Sequence, residues 1–144
     1  KQYKYKDAIE SYNKALNAST DYKSKATVFV KKTRLYSRLG KKDSALNLLS
    51  RIKQIGEENK DNDILFEYHN NLGVLQFQQT NHSLALIEYK KALHYAKLTN
   101  DTSSIAKTYE GLGAGYQTIG DLDSALLCFR KSVHYFEIIG KDWA

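Results

Sequence analysis

The chain of 144 residues repeats itself at a spacing of 40 residues, and this repeat limits its fold more than any other feature. Residues 85–95, ALIEYKKALHY, align with residues 125–135, ALLCFRKSVHY. The same shift relates Leu72-Gly73 to Leu112-Gly113, and a weaker copy precedes them around Ala45. Self-similarity at a fixed period of this length is the sequence signature of a solenoid, in which similar units stack on one another.

Apolar residues within each copy recur at the spacing of an α-helix. In the last copy one set runs from Ile105 to Ile119 and a second from Leu122 to Phe136, mostly in steps of three and four residues. Such steps place the apolar side chains on one face of a helix. No proline interrupts these runs, and proline is costly inside a helix. The pattern predicts seven helices, at residues 7–18, 22–39, 43–56, 62–79, 83–98, 102–119 and 122–139.

Glycine and short polar residues mark the turns between these helices. Gly40 and Gly120 suit the left-handed conformation that ends many helices. Short polar side chains can accept a hydrogen bond from the first turn of the helix that follows. This capping role is predicted for Asp121, for Asp43 with Ser44, and for Asn81 with Ser83. The helices are therefore expected to form hairpins with short connections.

The copies resemble the tetratricopeptide repeat (TPR), whose pattern contains a Leu-Gly pair, a Tyr, an Ala and then an aromatic residue. The last copy has the pattern at Tyr109, Leu112-Gly113, Tyr116, Gly120-Asp121, Ala125 and Phe129. The preceding copy has Gln76 in place of the Tyr, and the one before it has Lys32-Thr33 in place of Leu-Gly. The spacing exceeds the family's common length of about 34 residues. It is similar to the long repeats of bacterial TPR regulatory proteins.

The resemblance implies an all-α fold, a right-handed superhelical stack of antiparallel helical hairpins. One domain is expected over residues 1–144, with a partial repeat at 1–20 and full repeats at 22–60, 62–100 and 102–140. Asp142-Trp143 stands where another hairpin would begin. Further repeats or a capping helix are therefore expected in the intact protein. The exposed terminal hairpins could also join two copies of the chain.

In this family the first helix of each hairpin lines a concave groove that binds peptides or helices. The resemblance carries that role, by register, to residues of three helices. They are, from the second repeat, Thr27, Val30, Lys31, Arg34, Ser37 and Arg38; from the third, Glu67, Asn70, Asn71, Val74, Phe77 and Gln78; and from the fourth, Lys107, Glu110, Ala114, Gln117 and Thr118.

One groove chemistry of the family is the dicarboxylate clamp, which grips an acidic peptide C-terminus. The matching positions hold Val30, Arg34, Asn71, Lys107 and Gly111. Only two of the five fit the pattern of Lys, Asn, Asn, Lys and Arg, so the resemblance does not favour a clamp in this chain.

The charge of the chain is uneven. Residues 1–60 carry a net charge of +9, and residues 61–144 carry −3. Lys31, Arg34 and Arg38 share one helix face, which we call the basic stripe. The stripe could attract an acidic protein or peptide through its field, but a solvated helix face explains it as well and is favoured. A nucleic-acid partner is disfavoured, because the basic segment lacks a recognisable binding motif.

The remaining candidates for chemistry have simpler structural explanations. His94 and His134 occupy equivalent repeat positions, so neither is assigned to a metal site. Cys128 is the only cysteine and is expected to pack between helices. Gly111 and Gly115 lie inside a predicted helix, not after a strand as a nucleotide-binding loop requires, and are expected to leave room in the groove. No cofactor and no enzymatic activity are predicted.

Two functions remain open from the sequence. The first is a protein–protein interaction scaffold that binds a peptide or helix in the groove. The alternative is a peptide-sensing regulatory module of a bacterial signalling or transcription-regulatory protein. A cytoplasmic location is expected, because the sequence needs no disulfide and holds no apolar run of about 18 residues that could span a membrane.

Overall fold

The computed structural model describes residues 2–142 of the chain, and side chains within residues 4–141. Every element in this range is an α-helix, which confirms the predicted all-α fold. The helices are α1 (Gln2–Ala18), α2 (Tyr22–Arg38), α3 (Lys42–Glu58), α4 (Asn62–Gln78), α5 (His82–Leu98), α6 (Thr102–Thr118) and α7 (Leu122–Asp142). The predicted position of Trp143 at the start of another hairpin lies outside the described residues.

The turns repeat every 20 residues with one backbone geometry. Gly40, Lys60, Thr80, Asn100 and Gly120 all have positive φ, between 48° and 85°. At each turn this residue's N–H and the next one donate to carbonyls three and five residues earlier, which is the Schellman motif of helix ends. The left-handed geometry predicted for the two glycines is therefore confirmed, and three other residues adopt it without being glycine.

Aspartate side chains begin four of the helices. Asp21, Asp61, Asp101 and Asp121 each accept hydrogen bonds from backbone N–H groups two or three residues later, at 3.0 to 3.2 Å. The cap predicted at Asp121 is confirmed. These bonds satisfy N–H groups that the first helical turn leaves without a partner.

The caps predicted for α3 and α5 are wrong. Lys41 and Asn81 occupy the capping positions, and neither makes a side-chain cap hydrogen bond. Asn81 donates its side-chain amide to Oε1 of Gln76 at 2.9 Å. That amide therefore points back to the preceding helix rather than forward into α5.

Two of the predicted helix bounds differ from those of the structure. α1 begins at Gln2 rather than near residue 7, and α7 continues through Asp142 rather than ending near residue 139. Gly140 does not take the left-handed φ that ends the earlier helices, so nothing at this point turns the chain. Asp142 belongs to α7 and does not begin a further hairpin. No helix between Gln2 and Asp142 combines the length and apolar character that crossing a bilayer requires.

The hairpins stack in chain order. α2 packs on α3, α4 on α5 and α6 on α7 within hairpins, and α1 packs on α2. Between hairpins α3 packs on α4 and α5 on α6, and the inner helices also approach one another, α2 with α4 and α4 with α6. In residues 2–142 no Cα atoms of the outer helices α3, α5 and α7 come within 8 Å of one another. The stack therefore curves toward the inner helices, which form its concave face.

Glycines allow the closest helix contacts. A Cβ atom on Gly73 or Gly111 would lie 2.9 or 3.0 Å from the ring of Tyr89, which sits between α4 and α6. A Cβ atom on Gly115 would lie 2.7 Å from Leu86, and one on Gly113 would lie 2.7 Å from the ring of Phe129. The prediction that Gly111 and Gly115 leave room in the groove is wrong. Their missing side chains make room for α5 instead.

Candidate binding groove

The concave face carries most of the predicted groove residues, in three states of exposure. Lys31, Arg34, Arg38, Gln78, Lys107, Glu110 and Gln117 are exposed, Asn70, Val74, Phe77 and Ala114 are half-buried, and Asn71 is buried. The structure thus leaves most of them accessible, although not all in one site.

A cavity of about 310 Å³ opens between residues 23–34 of α2 and residues 61–67 at the start of α4. Its floor is aliphatic, formed by Ala26, Val30 and Ile64, which are 2, 6 and 7% exposed. These side chains belong to the hydrophobic core between the two hairpins. The cavity therefore presents a buried apolar surface at the bottom of a polar opening.

Charged walls of opposite sign face each other across this floor. The α2 wall holds Lys23, Thr27, Lys31 and Arg34, and the α4 side holds Asp61, Asp63 and Glu67. We call this cavity with its floor and walls the α2–α4 groove. Register predicted four of its residues, Thr27, Val30, Lys31 and Arg34, on α2 and one, Glu67, on α4.

Arg34 closes one end of the α2–α4 groove through a network with α4. Its Nη2 lies 2.9 Å from Oε2 of Glu67, and its Nε donates to Oδ1 of Asn71 at 3.2 Å. The Asn71 amide donates to the backbone carbonyl of Glu67 at 2.7 Å and to its Oε2 at 3.0 Å. Arg34 and Asn71 are therefore bonded to each other and to Glu67 before any ligand arrives.

The dicarboxylate clamp is not assembled in this face. Arg34 and Asn71 are held in the network with Glu67, Val30 is buried in the floor, and Gly111 lies against Tyr89. Most of the positions that the clamp needs are thus occupied by other contacts.

The basic stripe is divided by the Arg34–Glu67 pair. Lys31 lines the α2–α4 groove, whereas Arg38 lines a separate cavity of about 350 Å³ with Ser37 and Gln78. The three bases therefore do not line one cavity. The prediction that they face the concave side is consistent with these positions, and their joint attraction for an acidic partner stays a prediction.

The half of the face between α4 and α6 is less open. Val74 and Phe77 pack partly against the second hydrophobic core, and the ring of Phe77 meets His82 edge-on at 4.9 Å between centroids. Lys107 and Glu110 of α6 repeat the positions of Glu67 and Asn70 on α4. This half offers exposed charges on α6 rather than an apolar floor.

A third cavity, of about 550 Å³, lies on the outer side among α3, α4 and α5, and no sequence pattern predicted it. At its edge Nδ1 of His69 lies 2.7 Å from Oε2 of Glu88, and the His69 ring stacks on Tyr95 at 5.5 Å between centroids. Burial, and next the charge of Glu88, raise the pKa of Tyr68 beside this pair. His94, the repeat equivalent of His134 in the sequence, also lines this cavity.

The side chains that were considered as metal ligands or as a reactive thiol are not arranged for such chemistry in the part of the chain that the structure describes. Within residues 2–142, no three His, Cys, Asp or Glu side chains cluster closely enough to hold a metal ion. Cys128 of α7 is buried in the core that α4, α5, α6 and α7 form together, as predicted, and burial raises the pKa of its thiol. A buried, protonated thiol is a poor nucleophile.

Comparison with solved structures identifies the fold. The crystal structure of BtubC from P. vanneervenii matches 92% of this chain at 22% identity, with a TM-score of 0.77. A Signal Transduction ATPase with Numerous Domains (STAND) protein with a tetratricopeptide repeat sensor, from Pyrococcus horikoshii, matches 94% at 18% identity, with a TM-score of 0.82. The chain has a TPR-like helical repeat fold.

This TPR-like chain spans 56% of the BtubC chain and 21% of the STAND protein. No family model matches its sequence, and no curated protein does. The likeness therefore resides in the packing of the helices, and it does not identify a partner of the concave face.

Proposed function

We propose that this TPR-like repeat binds a peptide or helix of another protein on the concave face of α2, α4 and α6, and that it acts by binding rather than by catalysis. The α2–α4 groove carries the proposal, because it combines a buried aliphatic floor with polar groups that converge on it, two features of ligand sites. The floor supplies burial of an apolar side chain, and the walls orient the segment that carries it.

The second candidate is a peptide-sensing module of a bacterial regulatory protein. The similarity to a STAND protein with a tetratricopeptide repeat sensor favours it, as does the 40-residue hairpin spacing with helices of 17 residues. This spacing supports the long-repeat variety of TPR. A sensor would change its curvature on binding, so small-angle scattering of the chain with and without its partner separates the two candidates.

A capture experiment tests the shared claim that the concave face binds protein. The inner-face variant Lys31→Glu/Arg38→Glu/Lys107→Glu reverses three exposed bases on α2 and α6. The matched outer-face variant Lys53→Glu/Arg130→Glu/Lys141→Glu reverses three exposed bases on α3 and α7 and changes the net charge equally. Arg34 is left intact, because its loss would disturb the link to α4.

The expected result is that partners captured from the source cells by the native chain are lost from the inner-face variant and retained by the outer-face variant. Equal retention by both variants, or loss from the outer-face variant alone, would count against a concave binding site. Circular dichroism of both variants checks that the helices are intact.

A further inference from the structure

We propose that the α2–α4 groove selects a short peptide segment in which an apolar side chain is flanked by one acidic and one basic side chain. The proposal rests on the proposed function for its location, and it names the chemistry of the ligand. The sequence suggested an acidic partner from the bases of α2 alone. The carboxylates at the start of α4 line the same groove, and a ligand of mixed charge fits both sides.

The walls of the groove carry equal numbers of opposite charges. Lys23, Lys31 and Arg34 line one side, and three carboxylates line the other. Only Arg34 and Glu67 are joined; within residues 2–142, Lys23, Lys31 and Asp63 make no ion pair. The groove therefore keeps unpaired charges of both signs on opposite sides of its opening.

The carboxylates differ in how much of their capacity is used. Oδ1 of Asp61 accepts the N–H groups of Asp63 and Ile64 at 3.1 and 3.2 Å, so only its second oxygen is left for a ligand. Asp63 is exposed, and its carboxylate accepts no capping hydrogen bond of this kind. We therefore assign the main contact with a basic side chain to Asp63, with Asp61 beside it.

The α2 wall offers the complementary set. Lys31 is exposed. Thr27 on the preceding turn donates its hydroxyl to the carbonyl of Lys23 at 3.0 Å, so its oxygen can accept only from a donor such as a backbone N–H of the ligand. An acidic side chain that lies along this wall meets Lys31 and Lys23. Arg34 is held by Glu67 and contributes less.

A ligand of a single charge fits only half of this groove. An all-acidic segment that pairs with Lys31 also approaches Asp63, which repels it. An all-basic segment that pairs with Asp63 also approaches Lys31, which repels it. Juxtaposed like charges are costly and serve to reject wrong partners. A mixed segment pairs on both sides, and its central apolar side chain covers Val30 and Ile64.

The volume limits the length of the segment. At about 310 Å³ the groove lies at the lower end of ligand pockets, which run from roughly 300 to 1,000 Å³. It accepts an apolar side chain and its flanking groups rather than a broad folded surface. A linear segment, extended or helical, is the form that fits.

The test uses end-blocked synthetic peptides that differ only in charge. Each has a central leucine, flanked by glutamate and lysine in either order, by two glutamates, by two lysines, or by two glutamines. The methyl NMR signals of Val30 and Ile64 in the groove floor report binding directly. We expect one order of the mixed-charge peptide to bind about tenfold more tightly than either single-charge peptide, a difference of about 1.4 kcal/mol, because juxtaposed like charges are unfavourable.

Charge-reversed variants then exchange the preference. Lys31→Glu should favour the lysine-only peptide, and Asp63→Lys should favour the glutamate-only peptide. Both residues are exposed, so the fold should tolerate the changes. Lys25→Glu, at an exposed position of α2 that does not line the groove, is the matched control and should change nothing.

The proposal is overturned if the glutamate-only, lysine-only or uncharged peptide binds the native groove most tightly, or if no peptide shifts the floor methyls. These failures differ from failure of the proposed function. If partner capture still depends on the inner face while the peptides do not bind, the chain binds protein elsewhere on that face, and only the mixed-charge ligand is wrong.

Discussion

Arg34 of α2 and Glu67 of α4 form an ion pair of 2.9 Å that joins the inner helices of two successive hairpins. The same guanidinium donates to the buried Asn71. Replacement Arg34→Ala should lower the free energy of unfolding by about 1 kcal/mol, because the Asn71 side chain loses a donor in a buried place. Urea denaturation of the isolated chain measures the effect.

Arg38→Ala provides the comparison for this prediction. Arg38 lies one turn along the same helix and is exposed, and it forms no ion pair among the described residues. Its loss should change the free energy of unfolding by less than about 0.5 kcal/mol. Equal effects of the two replacements would mean that the Arg34 network does not hold the hairpins together.

Alanine at Gly113 should destabilise the last hairpin, although alanine is the better helix former. Its Cβ would lie 2.7 to 2.9 Å from three atoms of the Phe129 ring. We expect the free energy of unfolding to fall by about 1–3 kcal/mol, the usual cost of overpacking. Thermal or urea unfolding followed by circular dichroism measures it.

Gly140→Ala is the control, because a Cβ there meets nothing within 4 Å. It should stabilise the chain by up to about 1 kcal/mol, the difference in helix propensity. Combining Gly113→Ala with Phe129→Leu should recover part of the loss. If Gly113→Ala alone stabilises the chain, the contact of α6 with α7 is looser than the structure shows.

The positions of the helices could be predicted from the sequence, because the repeat and the spacing of apolar residues fix them locally. The turns could be predicted only in part. Gly40 and Gly120 indicate a left-handed residue by their type, whereas Thr80, with a φ of 63°, is indicated only by its equivalent place in the repeat. Left-handed φ values are costly for residues that have a Cβ, so the residue type of Thr80 predicts the opposite of the conformation that it adopts.

The groove was harder to predict, because its chemistry depends on pairs that are distant in the chain. The register placed Lys31 and Arg34 on the concave face, but the ion pair of Arg34 with Glu67 joins residues of different hairpins. Asp61 lies in the turn before α4 and Asp63 in its first turn, and the register assigned neither of them to the concave face. The functions of Gly111 and Gly115 likewise depend on the side chains of α5.

Stability should decline at high pH through Tyr89. Burial raises the pKa of this phenol to about 12, from an ordinary value of 10.0. The folded chain thus holds the proton more tightly than the unfolded chain. The resulting stability is fully present below pH 10 and is lost as the pH rises toward 12, with a slope near 1.4 kcal/mol per pH unit.

Tyr89→Phe isolates this contribution from that of the other ionisable groups. The variant should lose less unfolding free energy than the native chain between pH 10 and pH 11, as measured by urea denaturation at each pH. Identical declines would show that Tyr89 is accessible to solvent and that the contact with Gly73 and Gly111 opens readily.

The thiol of Cys128 should react slowly while the chain is folded. It is buried in the core, and burial raises its pKa, so that little thiolate forms at neutral pH. We expect its rate of reaction with a disulfide reagent to be well below that of a free cysteine and to approach that rate in urea. A native rate equal to the denatured rate would contradict the packing of α7.

The most direct test of the binding account is photo-crosslinking from chosen positions of the intact protein in its own cells. A photoreactive amino acid replaces Gln78 or Glu110 on the concave face, and Lys53 or Arg130 on the outer helices. The account predicts a discrete crosslinked protein from the concave positions and none from the outer ones. Crosslinks from the outer positions, with none from the concave face, would contradict it.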